Sequence, residues 1–127
     1  MIYKNKTKKK EYKNTLKAIE YYQKSVKLDN PLSMFNLAII YENGEDIVEK
    51  DILKSIELYQ KAADLSDTDA INSLGRIYQN GEEGIVEKDI LKSIELYQKA
   101  ADLGHSDSNS NLLLFIKTEK ILLKKIF

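Results

Sequence analysis

Nineteen consecutive residues, IVEKDILKSIELYQKAADL at 47–65, recur without a change at 85–103. Identity of that length is internal repetition. A period between about 20 and 50 residues marks an array in which each unit buries its apolar face against its neighbour. Upstream of each copy, residues 37–44 match 74–81 at a shift of 37, so Gly84 is one extra residue in the second copy. Further back, residues 18–24 line up with 55–61. Ile2-Tyr3-Lys4-Asn5 falls on Ile77-Tyr78-Gln79-Asn80, and Asn14 falls on Asp89. The chain therefore reads as opening in the middle of a repeat, with the loop and solvated face of a degenerate first unit near its start.

Each period reads as two helices. In the second of the pair, Asp51 and Asp89 are placed as N-caps, whose carboxylates accept from an otherwise unpaired backbone N–H. Apolar residues then recur at Ile52, Ile56, Tyr59 and Ala63, which is helical spacing. Glu20 with Lys24, Glu57 with Lys61 and Glu95 with Lys99 are i,i+4 pairs in the favourable order. The first helix of each pair is expected over 31–43 and 68–80, with Gly44 and Gly81 taking the left-handed position just past its end. No segment reads as a strand. Ala38, Gly75, Ala62-Ala63 and Ala100-Ala101 are small enough for helix axes to approach closely, while Leu37, Tyr41, Tyr59, Leu74, Tyr78 and Tyr97 are expected in the core.

Leu-Gly-x-x-Tyr-x-x-Gly over 74–81, then Asp89 before Lys92-Ser93, then Tyr-x-x-Ala-Ala-x-x-Gly over 97–104, resembles the Sel-one-like repeat. That unit is related to the tetratricopeptide repeat but has a longer loop between its helices. The spacing agrees, because tetratricopeptide units repeat every ~34 residues, whereas this chain repeats every 37 or 38. The resemblance implies an all-α fold, an α-solenoid of antiparallel helix pairs with two full repeats flanked by partial ones. The expected organisation is a single domain over 1–127: a degenerate partial repeat at 1–29, repeats at 30–66 and 67–104, and a C-terminal capping helix at 105–127. Asp29 and Ser66 stand where the family usually has an inter-repeat Gly. Ser55 and Ser93 replace its usual Ala, which is expected to soften packing at those joints. Glu119 replaces the helix-ending Gly, so the last helix is expected to run on from about 107 to 125. That helix carries more apolar residues, from Leu112 to Phe127, than one buried stripe uses.

Charge is distributed unevenly beneath a formal net of zero, with 20 basic and 20 acidic residues. Residues 1–17 hold seven Lys against Glu11, residues 18–103 carry a net of −8, and residues 104–127 a net of +2. The chain has no Cys, which excludes disulfides, thiol catalysis and cysteine-based zinc sites. The acidic clusters Glu45, Asp46, Glu49, Asp51 and Glu82, Glu83, Glu87, Asp89 lack the alternation and central Gly of a calcium loop and read as solvated loops. His105 stands alone and reads as a solvent-facing linker residue. Gly44 and Gly81-x-x-Gly84 lack the Lys-Ser/Thr and preceding strand of a phosphate loop. No catalytic residue, cofactor or metal is expected. The Lys run at 4, 6, 8, 9, 10, 13 and 17 contains no Arg, the commonest base reader, and specific nucleic-acid recognition is not expected. No apolar run approaches the ~20 residues of a bilayer span, and no apolar signal core opens the chain; a cytoplasmic or otherwise intracellular location is expected.

What remains is a surface for another protein. The resemblance implies that the first helix of each pair lines a concave face. With Leu37, Tyr41, Leu74 and Tyr78 inward, the opposite side offers Phe35, Asn36, Ile39 and Glu42, then Asn72, Ser73, Arg76 and Gln79, then Leu114. The expected function is a non-catalytic adaptor or scaffold module that binds a peptide or partner helix there. Two alternatives stand beside it. One is a fragment or degenerate copy of a longer array that self-associates through Leu114, Leu122 and Phe127 of its C-terminal helix. The other is a hydrolase like the cysteine-rich bacterial relatives, against which the absence of Cys and of a Ser-x-x-Lys motif weighs.

Overall fold

The computed structural model describes residues 2–126, with side chains described for 9–120, 124 and 125. Among the described residues six helices follow one another: α1 (Ile2–Lys27), α2 (Pro31–Asn43), α3 (Ile52–Asp64), α4 (Thr68–Asn80), α5 (Ile90–Asp102) and α6 (Ser106–Ile126). The two expected first helices, 31–43 and 68–80, coincide with α2 and α4. No strand occurs among the described residues, only isolated bridges between Glu45 and Val48 and between Glu82 and Val86. The chain divides into two compact units, Met1–Asp67 and Thr68–Phe127.

Caps start α3 and α5 where the sequence places them, and α2 has one as well. The Asn30 side chain accepts from the Ser33 N–H at the start of α2. Asp51 and Asp89 accept from Lys54 and Lys92 at 3.1 Å, each satisfying an amide that the helix itself leaves unpaired. Gly44 and Gly81 end α2 and α4 at φ +71° and +68°. A Cβ on either would meet the backbone of its own loop, at 3.1 Å from the Lys50 and Lys88 amide nitrogens respectively. Glycine is needed there for conformation and for space.

The loops return the chain to the first helix in the same way in both repeats. The Asp51 N–H donates to the Tyr41 carbonyl at 2.7 Å and the Asp89 N–H to the Tyr78 carbonyl at 2.8 Å. Two residues separate Glu45 from its partner Val48, with Asp46 at φ +50°; three separate Glu82 from Val86, with Gly84 at φ +75°. The inserted glycine is thus absorbed inside the turn, and the second helix starts at an equivalent place.

One element departs from expectation. The opening segment carries no loop: α1 is continuous from Ile2 to Lys27. Lys6 stands where Gly81 ends α4, and residues 1–29 contain neither Gly nor Pro. Lysine and glutamate are good helix formers, so nothing interrupts the first helix before it meets the second. The exposed side chains of Lys9, Lys10, Lys13 and Lys17 extend from it, while Lys4, Lys6 and Lys8 have side chains outside the described residues.

In the first unit α2 packs between α1 and α3, and its core holds Ile19, Met34, Leu37, Ile52, Leu58 and Tyr59. In the second unit α5 packs against both α4 and α6, around Ile71, Leu74, Ile77, Tyr97 and Leu112. Burial of each large apolar side chain contributes roughly 1.5–3 kcal/mol. Ala38, Ala62, Ala70 and Ala100 are completely buried, as their small size anticipates. Tyr41 and Tyr78 are half-buried rather than core. Their rings are covered by the Lys54 and Lys92 ammonium groups, 4.5 and 4.3 Å from the centroids, a cation–π contact that lets an aromatic ring sit at the rim.

Candidate partner-binding surfaces

Within each unit, the second helix holds the first through the same two side chains. Ser55 Oγ donates to the Ala38 carbonyl at 2.8 Å, and Ser93 Oγ to the Gly75 carbonyl at 2.7 Å. All of these residues are buried. The expected softening at Ser55 and Ser93 is therefore corrected: the hydroxyl that replaces a methyl finds an acceptor on the facing helix, and a satisfied buried hydrogen bond adds about 0.5–1.5 kcal/mol. One turn further on, Tyr59 Oη donates to Glu42 Oε1 and Tyr97 Oη to Gln79 Oε1, both at 2.7 Å. Burial pushes the Tyr97 hydroxyl above the ordinary tyrosine pKa, against a lowering by the Arg76 charge.

In the second unit, α6 is tied to α4 at two successive levels. His105 Nδ1 accepts from the Ser108 N–H at 3.1 Å, capping α6, while Nε2 lies 2.9 Å from Asp69 Oδ1 on α4. The backbone donor on Nδ1 requires the tautomer with its proton on Nε2, which donates to Asp69. The His105 side chain is only 11% exposed, which corrects its reading as a solvent-facing linker. Asn72 Oδ1 accepts from Ser108 Oγ at 2.7 Å and from Asn111 Nδ2 at 3.4 Å.

These contacts sort the residues expected to bind a partner. Ser73 is buried, and Asn72 and Gln79 are half-buried and engaged by Ser108 and Tyr97. Arg76 and Leu114 are exposed, Leu114 by 66%. Phe35 is half-buried, its ring 5.7 Å from that of Tyr59. Asn36 and Ile39 are half-buried and line an open cleft of about 370 Å³, whose other wall is α1 with Asn14, Thr15, Ala18 and Tyr22. The structure thus brings Asn36 and Ile39 together in one concavity of the first unit. The α1 wall escaped the sequence reading, although Ala18 and Tyr22 align with Ser55 and Tyr59 and so carry its signal. Thr15 Oγ1 donates to Asp46 Oδ2 at 2.6 Å, fixing α1 against the loop that follows α2.

A second concavity of about 420 Å³ opens between α1 and α3, floored by Val26, Leu37 and Leu58 and rimmed by Lys27, Lys54 and Lys61. Among the described residues, no group of three or more His, Asp or Glu is arranged to hold a metal. No described helix is long and apolar enough to cross a membrane. On α6, Leu112 is buried whereas Leu113, Leu114 and Ile116 are exposed, so the apolar surplus expected of this helix is present on its surface. Leu122 and Phe127 lie outside the described side chains.

The Sel1 repeat model matches residues 10–30, 31–67 and 68–105. A comparison with curated protein sequences found no match. Among solved structures, a Sel1 repeat protein from Oxalobacter formigenes is similar at a TM-score of 0.68 and 35% identity, over 76% of this chain and 38% of that one. The c5321 protective antigen of uropathogenic Escherichia coli, described as displaying an SLR fold, gives 0.70 and 29%, over 78% of this chain and 21% of that one. Helicobacter pylori cysteine rich protein B gives 0.70 and 31%, over 77% and 71%. The chain thus spans well under half the length of the first two relatives. With three matched repeats, six helices and a repeated contact between pair members, the chain belongs to the Sel1 repeat family.

Proposed function

We propose that the chain is a non-catalytic adaptor or scaffold module that binds a peptide or partner helix on the exposed side of its first helices. Sel1 repeats are generally protein–protein interaction modules, which supports the class of function. The observation that carries the finer reading is the cleft between α1 and α2, where Asn36 and Ile39 combine amide hydrogen bonding with apolar surface. A groove of this mixed character suits an amphipathic helix. In the second unit, the exposed candidates are Arg76 and Leu114, whereas Ser73 is buried.

Affinity capture with mass spectrometry, comparing the natural chain with Ile39→Glu and Arg76→Glu, tests this reading. Loss of the same partner from either variant supports the surface. Retention of every partner by both variants removes it, and the absence of any specific partner removes the module itself.

A further inference from the structure

The concavity between α1 and α3 is built entirely within the first unit. Its floor is apolar, with Leu37 and Leu58 buried and Val26 half-buried, and its rim carries Lys27, Lys54 and Lys61 against Glu57. Two of the ammonium groups have a fixed place: that of Lys54 lies 4.5 Å from the Tyr41 ring centroid, and that of Lys61 lies 3.6 Å from Glu57 Oε1. At about 420 Å³ the space is at the small end of the roughly 300–1,000 Å³ of ligand sites. Beyond Lys27 and Lys61 a neighbouring concavity carries Asp29 and Asp64, which leaves the stretch beside Lys54 as the basic one. The complementary pattern occurs in the second unit. Ile85 lies in the loop between α4 and α5, with Glu83 and Glu87 exposed on either side and no Lys or Arg from 82 to 87.

We infer that the α4–α5 loop of one copy seats in the α1–α3 concavity of a second copy, with Ile85 on the apolar floor and Glu83 and Glu87 against the lysine rim. Asn36 and Ile39 take no part in this contact, so a foreign partner in the α1–α2 cleft stands or falls separately.

The loop is shaped to be inserted. Ile85 is 54% exposed, and a Cβ added to Gly84 beside it would meet nothing within 4 Å, so the tip stands clear of its own chain. The Glu82 N–H donates to the Val86 carbonyl at 2.8 Å and the Ile85 N–H to the Glu82 carbonyl at 2.9 Å. A tip already closed by backbone bonds has little freedom left to lose on binding. The first loop has a similar composition, with Ile47 among Glu45, Asp46 and Glu49, but its Asp46 is engaged by Thr15. The second loop, one glycine longer, is the one offered. A formal net charge of zero leaves no overall repulsion between copies, so local attraction between the Glu-bearing tip and the lysine rim orients the encounter. The two surfaces are different patches, and the contact is heterologous: it propagates as an open chain rather than closing as a twofold dimer.

Sedimentation velocity of the full chain over a wide concentration range, at low and at high salt, tests the contact. The average mass is expected to keep rising with concentration at low salt. High salt should weaken association at least about tenfold, because exposed charges are screened within ~8 Å already at physiological ionic strength. Ile85→Ser, at an exposed position, should also weaken it about tenfold while leaving the helical circular dichroism unchanged. A Lys27→Glu/Lys61→Glu variant and a Glu83→Lys/Glu87→Lys variant should each be monomeric, since each sets like charge against like, and an equimolar mixture of the two should associate again. Recovery on mixing separates a lost contact from a lost fold. A natural chain that is monomeric at every concentration overturns the proposal. So does association that persists in either charge-reversed variant alone, or a mixture that stays monomeric.

Discussion

A Cβ atom built on Gly75 would lie 2.8 Å from both Cδ1 and Cε1 of Tyr97. The Tyr97 ring therefore rests on the bare backbone of α4, in the same helix–helix contact that brings Ser93 to the Gly75 carbonyl. In the first unit the equivalent residue is Ala38, completely buried opposite Ser55 and Tyr59. The two pairs thus share one contact but differ by a methyl group in how closely the tyrosine helix approaches.

Gly75→Ala is expected to destabilise the second unit by about 1–3 kcal/mol, because the ring or the helix must move to admit the methyl. Chemical denaturation measures the loss. Combining it with Tyr97→Leu should recover part of the cost, giving a non-additive double-mutant cycle; additive effects would show that the ring is not the obstacle.

His105→Ala should cost about 1–2 kcal/mol. It removes the acceptor that caps α6 and the donor to Asp69, each contributing on the order of 1 kcal/mol. Asp69→Asn should cost less, because it leaves the cap intact. Hydrogen exchange at the Ser108 amide distinguishes the two, rising in His105→Ala and staying protected in Asp69→Asn.

Ser66 holds φ +64° and Asp29 φ +58°, at the joints where Gly104 holds φ +93° in the third case. Left-handed backbone costs a residue with a Cβ roughly 1–2 kcal/mol, while glycine loses roughly 0.5–1 kcal/mol more chain entropy on folding. Ser66→Gly is therefore expected to stabilise the fold by a net of up to about 1 kcal/mol, read as a higher denaturation midpoint. Ser66→Val should destabilise it.

The raised pKa of Tyr97 gives an alkaline limit to stability. Its burial disfavours the phenolate in the folded state, so the unfolded chain releases that proton first, near the ordinary tyrosine pKa of about 10. Above that pH the unfolded state binds fewer protons and stability falls as pH rises; below it the contribution is fully present. Tyr97→Phe should flatten this decline in a series of thermal melts above about pH 10. At neutral pH it should cost about 1 kcal/mol, through loss of the hydrogen bond to Gln79.

The legible part of the fold was whatever depends on chain neighbours. Helix starts were readable at Asp51 and Asp89 because a cap acts within its own turn. Helix ends were readable at Gly44 and Gly81 because left-handed backbone is a local demand. The candidate site was only half legible. Asn36 and Ile39 could be picked by helical phase, but the α1 wall of their cleft lies on a different element. Ser73, Asn72 and Gln79 were chosen by the same phase, and the facing helices bury or engage them.

By itself, the sequence determined the repeat, its period, the two helices of each period and the glycine that ends the first of them, since all of these follow from local propensity and exact recurrence. Only the tertiary structure decided what each polar residue does. His105 became a cap and a tie to Asp69, Ser55 and Ser93 became interhelical donors, and Tyr41 and Tyr78 moved from core to rim beneath a lysine. Those outcomes depend on which atom of another helix lies within hydrogen-bonding reach. Side-chain spacing along one helix carries no information about that distance.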